Sequence, residues 1–444
     1  MPAPSPRLLA DLIEWIRIPS ISSGGGDPAD LRSAAEWTAR RIIAAGGTCE
    51  LLEGYGNPLV VGQLQASRAD APTVLSYGHY DVQSAEPRAS WSSDPFEPSE
   101  RDGRLFGRGA SDDKGNFLPL LHVACELARA GTLPVHVRVL CEGDEEALGE
   151  GVLRFVAEDE RGADCAIVFD ADMLDDRTPA LTLAVRGTIA CRLTVTTGSR
   201  ALHSGVFGNA AMNATHALVQ ALAAVLPGPD GLLPAPLRAG IEPPSEQELA
   251  AWRNLPPGDG ILASVGAAPS HEAAGRGFYE RTWADASLDV SGLDGGDAGQ
   301  QRTIIPHVAS ARLNLRLAAG QDPDEIRATL ERMLRDAAPP GATLELSAFS
   351  MPGAAFDPAS PPLRLAAEAL ARTCGVPCVL KRSGGSIPVL AAFARRGIPV
   401  ICSGFALEED RIHASDESFR LESLALGERA AHELYAALAG LNRI

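Results

Sequence analysis

The chain has 444 residues, 45% of them hydrophobic and 22% charged, with a formal net charge of −18. That length exceeds what one hydrophobic core supports and points to two or three domains; the acidic balance argues against nucleic acid or anionic lipid as the main partner. Charge or glycine interrupts every apolar run too early for a bilayer span, so no membrane association is expected, and the eight scattered cysteines, with no CxxC pair, read as reduced core thiols of a cytoplasmic protein.

The N-terminal stretch lacks a basic start followed by an unbroken apolar segment and reads as an amphipathic helix rather than a signal peptide. Asp27 followed by Pro28 is a helix start, an N-cap and then proline in the first turn, with Gly46 or Gly47 as the stop. Leu31, Ala34, Ala35, Trp37, Ile42 and Ile43 fall on one face of that helix. Residues 73–77 read as a strand, 114–130 as a helix, and 135–140 and 165–169 as strands. This alternation predicts an α/β sheet covered on both faces.

After about residue 184 the texture changes. Residues 188–196 alternate apolar and polar side chains as a half-exposed strand does. A helix over 211–225 and a long Pro/Gly-rich stretch to about 299 follow. Then come a strand over 309–317, a helix over 322–337 and a strand over 343–349. The pattern predicts a small α+β domain over 186–353 inserted into a first domain made of 1–185 and 354–444. The chain is expected to end in a helix over 421–439.

Five acid- or histidine-containing clusters lie at or just beyond predicted strand ends, where open α/β sheets gather ligands. They are His79 with Asp81, Asp112 with Asp113 and Lys114, Asp144 with Glu145 and Glu146, Asp170 with Asp172, and His413. Imidazole and carboxylate are the donors that hold two divalent ions about 4 Å apart, one carboxylate bridging them. Such a pair deprotonates a water between the ions near neutral pH, and a carboxylate outside the ligand set must carry the proton to the leaving group. Adjacent glutamates such as Glu145 and Glu146 suit that division of labour.

The series GHYDV, GRGASDDKG, DEEALG, HSGVFG, GGSIP and the late His413 resembles that of M20 family metallopeptidases, closest to the cytosolic, carnosinase-like dipeptidases. The motifs run in family order from His79 to His413. The resemblance implies a catalytic domain with a central, mostly parallel sheet and an inserted lid and dimerisation domain. It also implies two divalent ions, Zn²⁺ first with Mn²⁺ or Co²⁺ suiting the same donors, and hydrolysis of a dipeptide-like amide with a free carboxylate by a homodimer. A deacylase or desuccinylase of N-acyl amino acids is the alternative within the family, and a non-catalytic metal-binding protein the alternative outside it.

Residue by residue, the resemblance makes His79, Asp112, Glu146, Asp170 and His413 metal ligands, with Asp112 bridging and Asp170 preferred over Asp172. Asp81 orients His79, Glu145 is the general base acting on the metal-bridging water, and His203 stabilises the oxyanion in the partner's site. Thr303, Arg316, Gly385 and Ser386 contact the substrate, Arg316 as a fork on its carboxylate. Asp113 and Lys114 read as structural, Lys114 pairing with a nearby carboxylate. Two departures stand out: Asp416 where many relatives carry Asn, and Lys381-Arg382-Ser383 where dipeptidases often have Arg-Glu.

Overall fold

The computed structural model describes residues 3–296, 299 and 302–441. They form two compact units, one made of residues 1–183, 356–381 and 392–444, the other of 184–355 and 382–391.

The first unit is built on a six-stranded sheet in the order Thr48–Leu52, Leu59–Leu64, His136–Glu142, Thr73–His79, Cys165–Phe169, Val400–Ser403. The first two strands join antiparallel and the last four are mutually parallel. The parallel strands are buried along nearly their whole length, which is why they read as continuous apolar runs rather than alternations. His79 pairs with Glu142 in register and Tyr77 with Val168, so the carboxyl ends of these strands share one edge of the sheet.

Local chemistry sets the helices. In Pro28–Ala44 the Asp27 carboxylate accepts from the Ala29 N–H, Pro28 occupies the first turn, and Leu31, Ala34, Ala35, Trp37, Thr38 and Ile42 are buried. Ser5 caps Pro6–Ile16 in the same way, and Trp15 stacks on Trp37 with centroids 4.9 Å apart. Burying a large apolar side chain of this kind contributes roughly 2–3 kcal/mol. Two glycines next to candidate ligands are explained by close approach. A Cβ on Gly78 would lie 2.2 Å from the Phe117 ring, and one on Gly115 would lie 1.9 Å from the Ala110 carbonyl oxygen. No larger residue fits either place without displacing helix Lys114–Arg129.

The second unit contains a four-stranded antiparallel sheet, Ser287–Asp294, Val308–Leu317, Gly187–Thr196, Thr343–Met351. Ile189, Cys191, Leu193 and Val195 alternate inward and pack in one core with Leu218, Leu222, Leu330 and Leu334 of helices Ala214–Ala223 and Pro323–Ala337. The edge strand Ser287–Asp294 lies inside the long stretch read as Pro/Gly-rich, where no strand is expected. Two aspartates and a glycine break its pattern, and a register shift falls between Val290 and Gly292. Residues 382–391 belong to this unit, where Arg382 grips the Glu248 carboxylate with Nε at 2.6 Å and Nη2 at 3.1 Å. Among the described residues no helix is long and apolar enough to cross a membrane.

Candidate metal centre

His79 is the last residue of its strand and is fully buried. Its N–H donates to Asp113 Oδ2 at 3.1 Å. The ring Nδ1 lies 3.1 Å from the Asp81 carbonyl oxygen and 3.4 Å from Asp81 Oδ1. A carbonyl can only accept, so Nδ1 carries a proton and Nε2 points away from it. There Nε2 meets Asp112 Oδ1 at 3.2 Å, yet among the described residues it has no hydrogen-bond partner of proper geometry.

Asp112 sits in the loop entering helix Lys114–Arg129 and faces two imidazoles, His79 through Oδ1 and His413 Nε2 through Oδ2 at 2.9 Å. His413 Nε2 also lies 3.2 Å from Glu146 Oε2. Donor atoms of His79, Asp112 and Asp170 all fall within 4.8 Å of one another, and so do those of Asp112, Glu146 and His413. Asp112 is common to both groups. Asp170 directly follows strand Cys165–Phe169, whereas Asp172 points to Lys381 Nζ at 2.6 Å. A cavity of about 460 Å³ opens beside these groups, lined by Asp112, Asp170, Asp172, Arg411 and Ile412 among others.

The electrostatics of this cluster ask for cations. Burial, with acidic neighbours, holds the Asp170 carboxyl well above the usual range. Burial also pushes Glu145 up to about 7, His79 drawing it down and Asp112 and Glu146 raising it further. For Asp112 the burial penalty is outweighed by His413 and His79, and its pKa falls below the ordinary value. Burial pulls His79 down, but Asp112 and Asp81 more than reverse this and raise it well above its usual range. A buried Nε2 without a hydrogen-bond partner, a carboxylate shared by two imidazoles and an excess of buried carboxylates form a donor set that fits two divalent ions.

Two supporting side chains carried no sequence signal. Gln83 Nε2 donates to Glu146 Oε2 at 2.7 Å, and the Ser22 hydroxyl to Asp81 Oδ2 at 2.6 Å. Only the fold brings these polar residues to the acids. One expectation needs correcting. Among the described residues Lys114 Nζ binds no carboxylate but donates to the carbonyls of Trp15 and Ile18 at 3.0 and 2.9 Å. Burial lowers its pKa to about 7, and backbone carbonyls can satisfy the amine whether or not it is charged. Asp416 takes both the N–H and the hydroxyl of Ser92, at 2.7 and 2.8 Å, and Ser383 Oγ accepts from the Gly385 N–H at 3.1 Å.

In the second unit the candidate residues meet in two pairs. Strand Leu202–His203 pairs with Ile304–Ile305, and the Ser204 N–H bonds the Thr303 carbonyl at 2.9 Å, which brings His203 and Thr303 together. His203 is exposed; its Nδ1 accepts from the Gly205 N–H at 3.1 Å, which leaves the proton on the outward Nε2. Arg316 Nη1 donates to Ser386 Oγ at 3.2 Å. The Gly385 carbonyl accepts from the Arg186 N–H at 3.0 Å.

A cysteinylglycine-S-conjugate dipeptidase of Corynebacterium striatum is 30% identical over 382 residues, 81% of this chain and 80% of that protein. The crystal structure of an M20 family metallo-carboxypeptidase from Sulfolobus solfataricus superposes with a TM-score of 0.84 at 22% identity, covering 98% of this chain and 99% of that one. Human carnosine dipeptidase 1 gives 0.75 at 21% identity, covering 98% and 96%. The family model described as peptidase family M20/M25/M40 matches residues 75–437, the span that holds every residue of the two donor groups: this chain belongs to the M20/M25/M40 peptidase family.

Proposed function

We propose that this chain hydrolyses the amide bond of a dipeptide, or of a similarly small substrate with a free carboxylate, using two divalent ions. Zn²⁺ is the ion proposed first. The observation that carries the reading is Asp112, whose two oxygens face His79 and His413 beside a carboxylate, Glu145, that belongs to neither donor group. His79 and Asp170 would hold one ion, Glu146 and His413 the other, and Asp112 both. Bound there, divalent ions would supply Lewis-acid polarisation and acidify water at neutral pH.

Glu145 would take a proton from the attacking water and hand it to the amine nitrogen as the amide C–N bond breaks. His203, with its Nε2 proton directed outward, suits stabilisation of the tetrahedral oxyanion. Arg316, Ser386, Gly385 and Thr303 are proposed as substrate contacts, the guanidinium taking the carboxylate. The dipeptide reading is supported by the dipeptidase activities for which the relatives are named, and a reducing, cytoplasmic setting by eight free thiols. Exposed Leu293 and Val219 beside the open edge of the second unit's sheet support a homodimer built through that unit.

The test is turnover of metal-loaded protein on dipeptides and N-acyl amino acids, with Glu145→Gln alongside. The variant is expected to keep two ions per chain while kcat falls by about 10²–10⁴. Wild-type turnover in that variant would remove Glu145 as the base, and turnover of acyl amino acids alone would replace the dipeptide reading with a deacylase.

A further inference from the structure

Three of the segments that carry the candidate ligands converge on one buried ion pair. Arg108 is 3% exposed and Glu417 fully buried, and Arg108 Nη1 donates to Glu417 Oε2 at 2.7 Å. The carboxylate takes three more hydrogen bonds, all from backbone N–H groups of the loop that carries Asp112. Gly109 binds Oε2 at 3.0 Å, while Ser111 and Asp112 itself bind Oε1 at 3.0 and 3.1 Å. The Glu417 carbonyl adds a fifth tie by accepting from the Gly107 N–H at 3.0 Å.

On its other side the guanidinium reaches two carbonyls. Arg108 Nη2 donates to Ala414 and to Ser84, each at 3.2 Å. Ala414 directly follows His413, and Ser84 follows the turn that carries His79, Asp81 and Gln83. One planar cation and one carboxylate thus join the backbone beside His79, the backbone of Asp112 and the backbone of His413.

The segment held at the far end would not keep this shape alone. Arg411, His413 and Asp416 have φ of 58°, 65° and 59°, a left-handed conformation that residues with a Cβ avoid. Such backbone persists where its surroundings over-determine it. A buried ion pair adds little net stability, because desolvation offsets the attraction, but its geometry permits one arrangement of the groups around it. Arg suits this place through its fork, which reaches a carboxylate and two carbonyls at once.

We propose that Arg108 and Glu417 are positioning residues of the metal centre. They hold Asp112 and His413 at the spacing in which one carboxylate spans two ion sites, before any ion arrives. The proposal rests on the metal reading above. Arg108 and Glu417 act through the ligands, so the quantity they control is ion affinity.

The experiment is calorimetric titration of the metal-free full chain with Zn²⁺, for wild type, Glu417→Gln and Arg108→Lys. Circular dichroism checks that each variant is folded. Wild type is expected to take two ions. Glu417→Gln turns one acceptor into a donor that faces backbone N–H groups, and Arg108→Lys keeps the charge but loses the reach to Ala414 and Ser84. Each is expected to weaken Zn²⁺ affinity about 10–100-fold, with kcat recovering at saturating Zn²⁺ and KM unchanged. Folded variants that bind both ions as tightly as wild type overturn the proposal, and so does a kcat that stays low at saturation. If Glu417→Gln does not fold, Arg108→Lys decides by the same criteria. A wild-type chain that takes up no Zn²⁺ instead overturns the metal reading, and this proposal with it.

Discussion

Asp81 Oδ2 accepts the backbone N–H of Glu146 at 3.0 Å. The residue that flanks one candidate ligand, His79, thereby fixes the backbone of another, in the second donor group. Asp81 Oδ1 also lies 3.4 Å from the His79 ring, so a single buried carboxylate touches both halves of the centre. Asp81→Asn removes its charge and offers an amide in place of one acceptor. The expected result is a loss of about 10–100-fold in ion affinity or activity. Metal titration with steady-state kinetics checks this, and unchanged values in a folded variant would remove Asp81 from the centre.

Ion binding should also raise thermal stability. The folded chain gathers carboxylates that repel one another and gives them counter-charge through His79 and His413, whereas an unfolded chain has no assembled site. Free ion at about 100 times its dissociation constant would then add about 2.7 kcal/mol. Tm is expected to rise with Zn²⁺ and to fall on chelation, as read by scanning calorimetry. A Tm indifferent to both treatments contradicts the donor assignment.

Arg316 is expected to act on binding. Its Nη1 rests on Ser386 Oγ, and that hydroxyl in turn donates to the Arg186 carbonyl at 2.5 Å, which holds the guanidinium in one orientation. Arg316→Ala should raise KM for free-carboxylate dipeptides by about tenfold or more, with a smaller change in kcat, the pattern of a lost ground-state contact. C-terminally amidated dipeptides should show little difference between variant and wild type. Equal losses on both substrates would count against a carboxylate contact.

His203 permits a test of assembly as well as of chemistry. Its exposed ring would serve the partner's centre in the proposed homodimer. Inactive Glu145→Gln chains mixed with inactive His203→Ala chains should then regain part of the wild-type activity, because one site of each mixed dimer keeps both groups. Mixtures that stay inactive after subunit exchange, followed by mass spectrometry of tagged chains, would argue that His203 serves no partner.

The sequence by itself determined the alternation of elements, the family and the type of chemistry. Buried parallel strands leave continuous apolar runs, caps such as Asp27-Pro28 mark helix starts, and the glycines of GHYDV and DDKG record places where Phe117 and Ala110 leave no room for a Cβ. These are local constraints, and each is written into a few adjacent residues. The edge strand Ser287–Asp294 escaped that reading because a solvated edge with a register shift lacks a regular apolar pattern. What tertiary structure alone decided is which polar groups meet. Asp170 rather than Asp172 joins His79 and Asp112, while Lys381, more than 200 positions away, takes Asp172. Lys114 turns to two carbonyls, and Glu417 closes on a loop about 300 residues upstream. A hydrogen bond depends on a few tenths of an ångström between atoms, and no spacing along the chain encodes a distance across it.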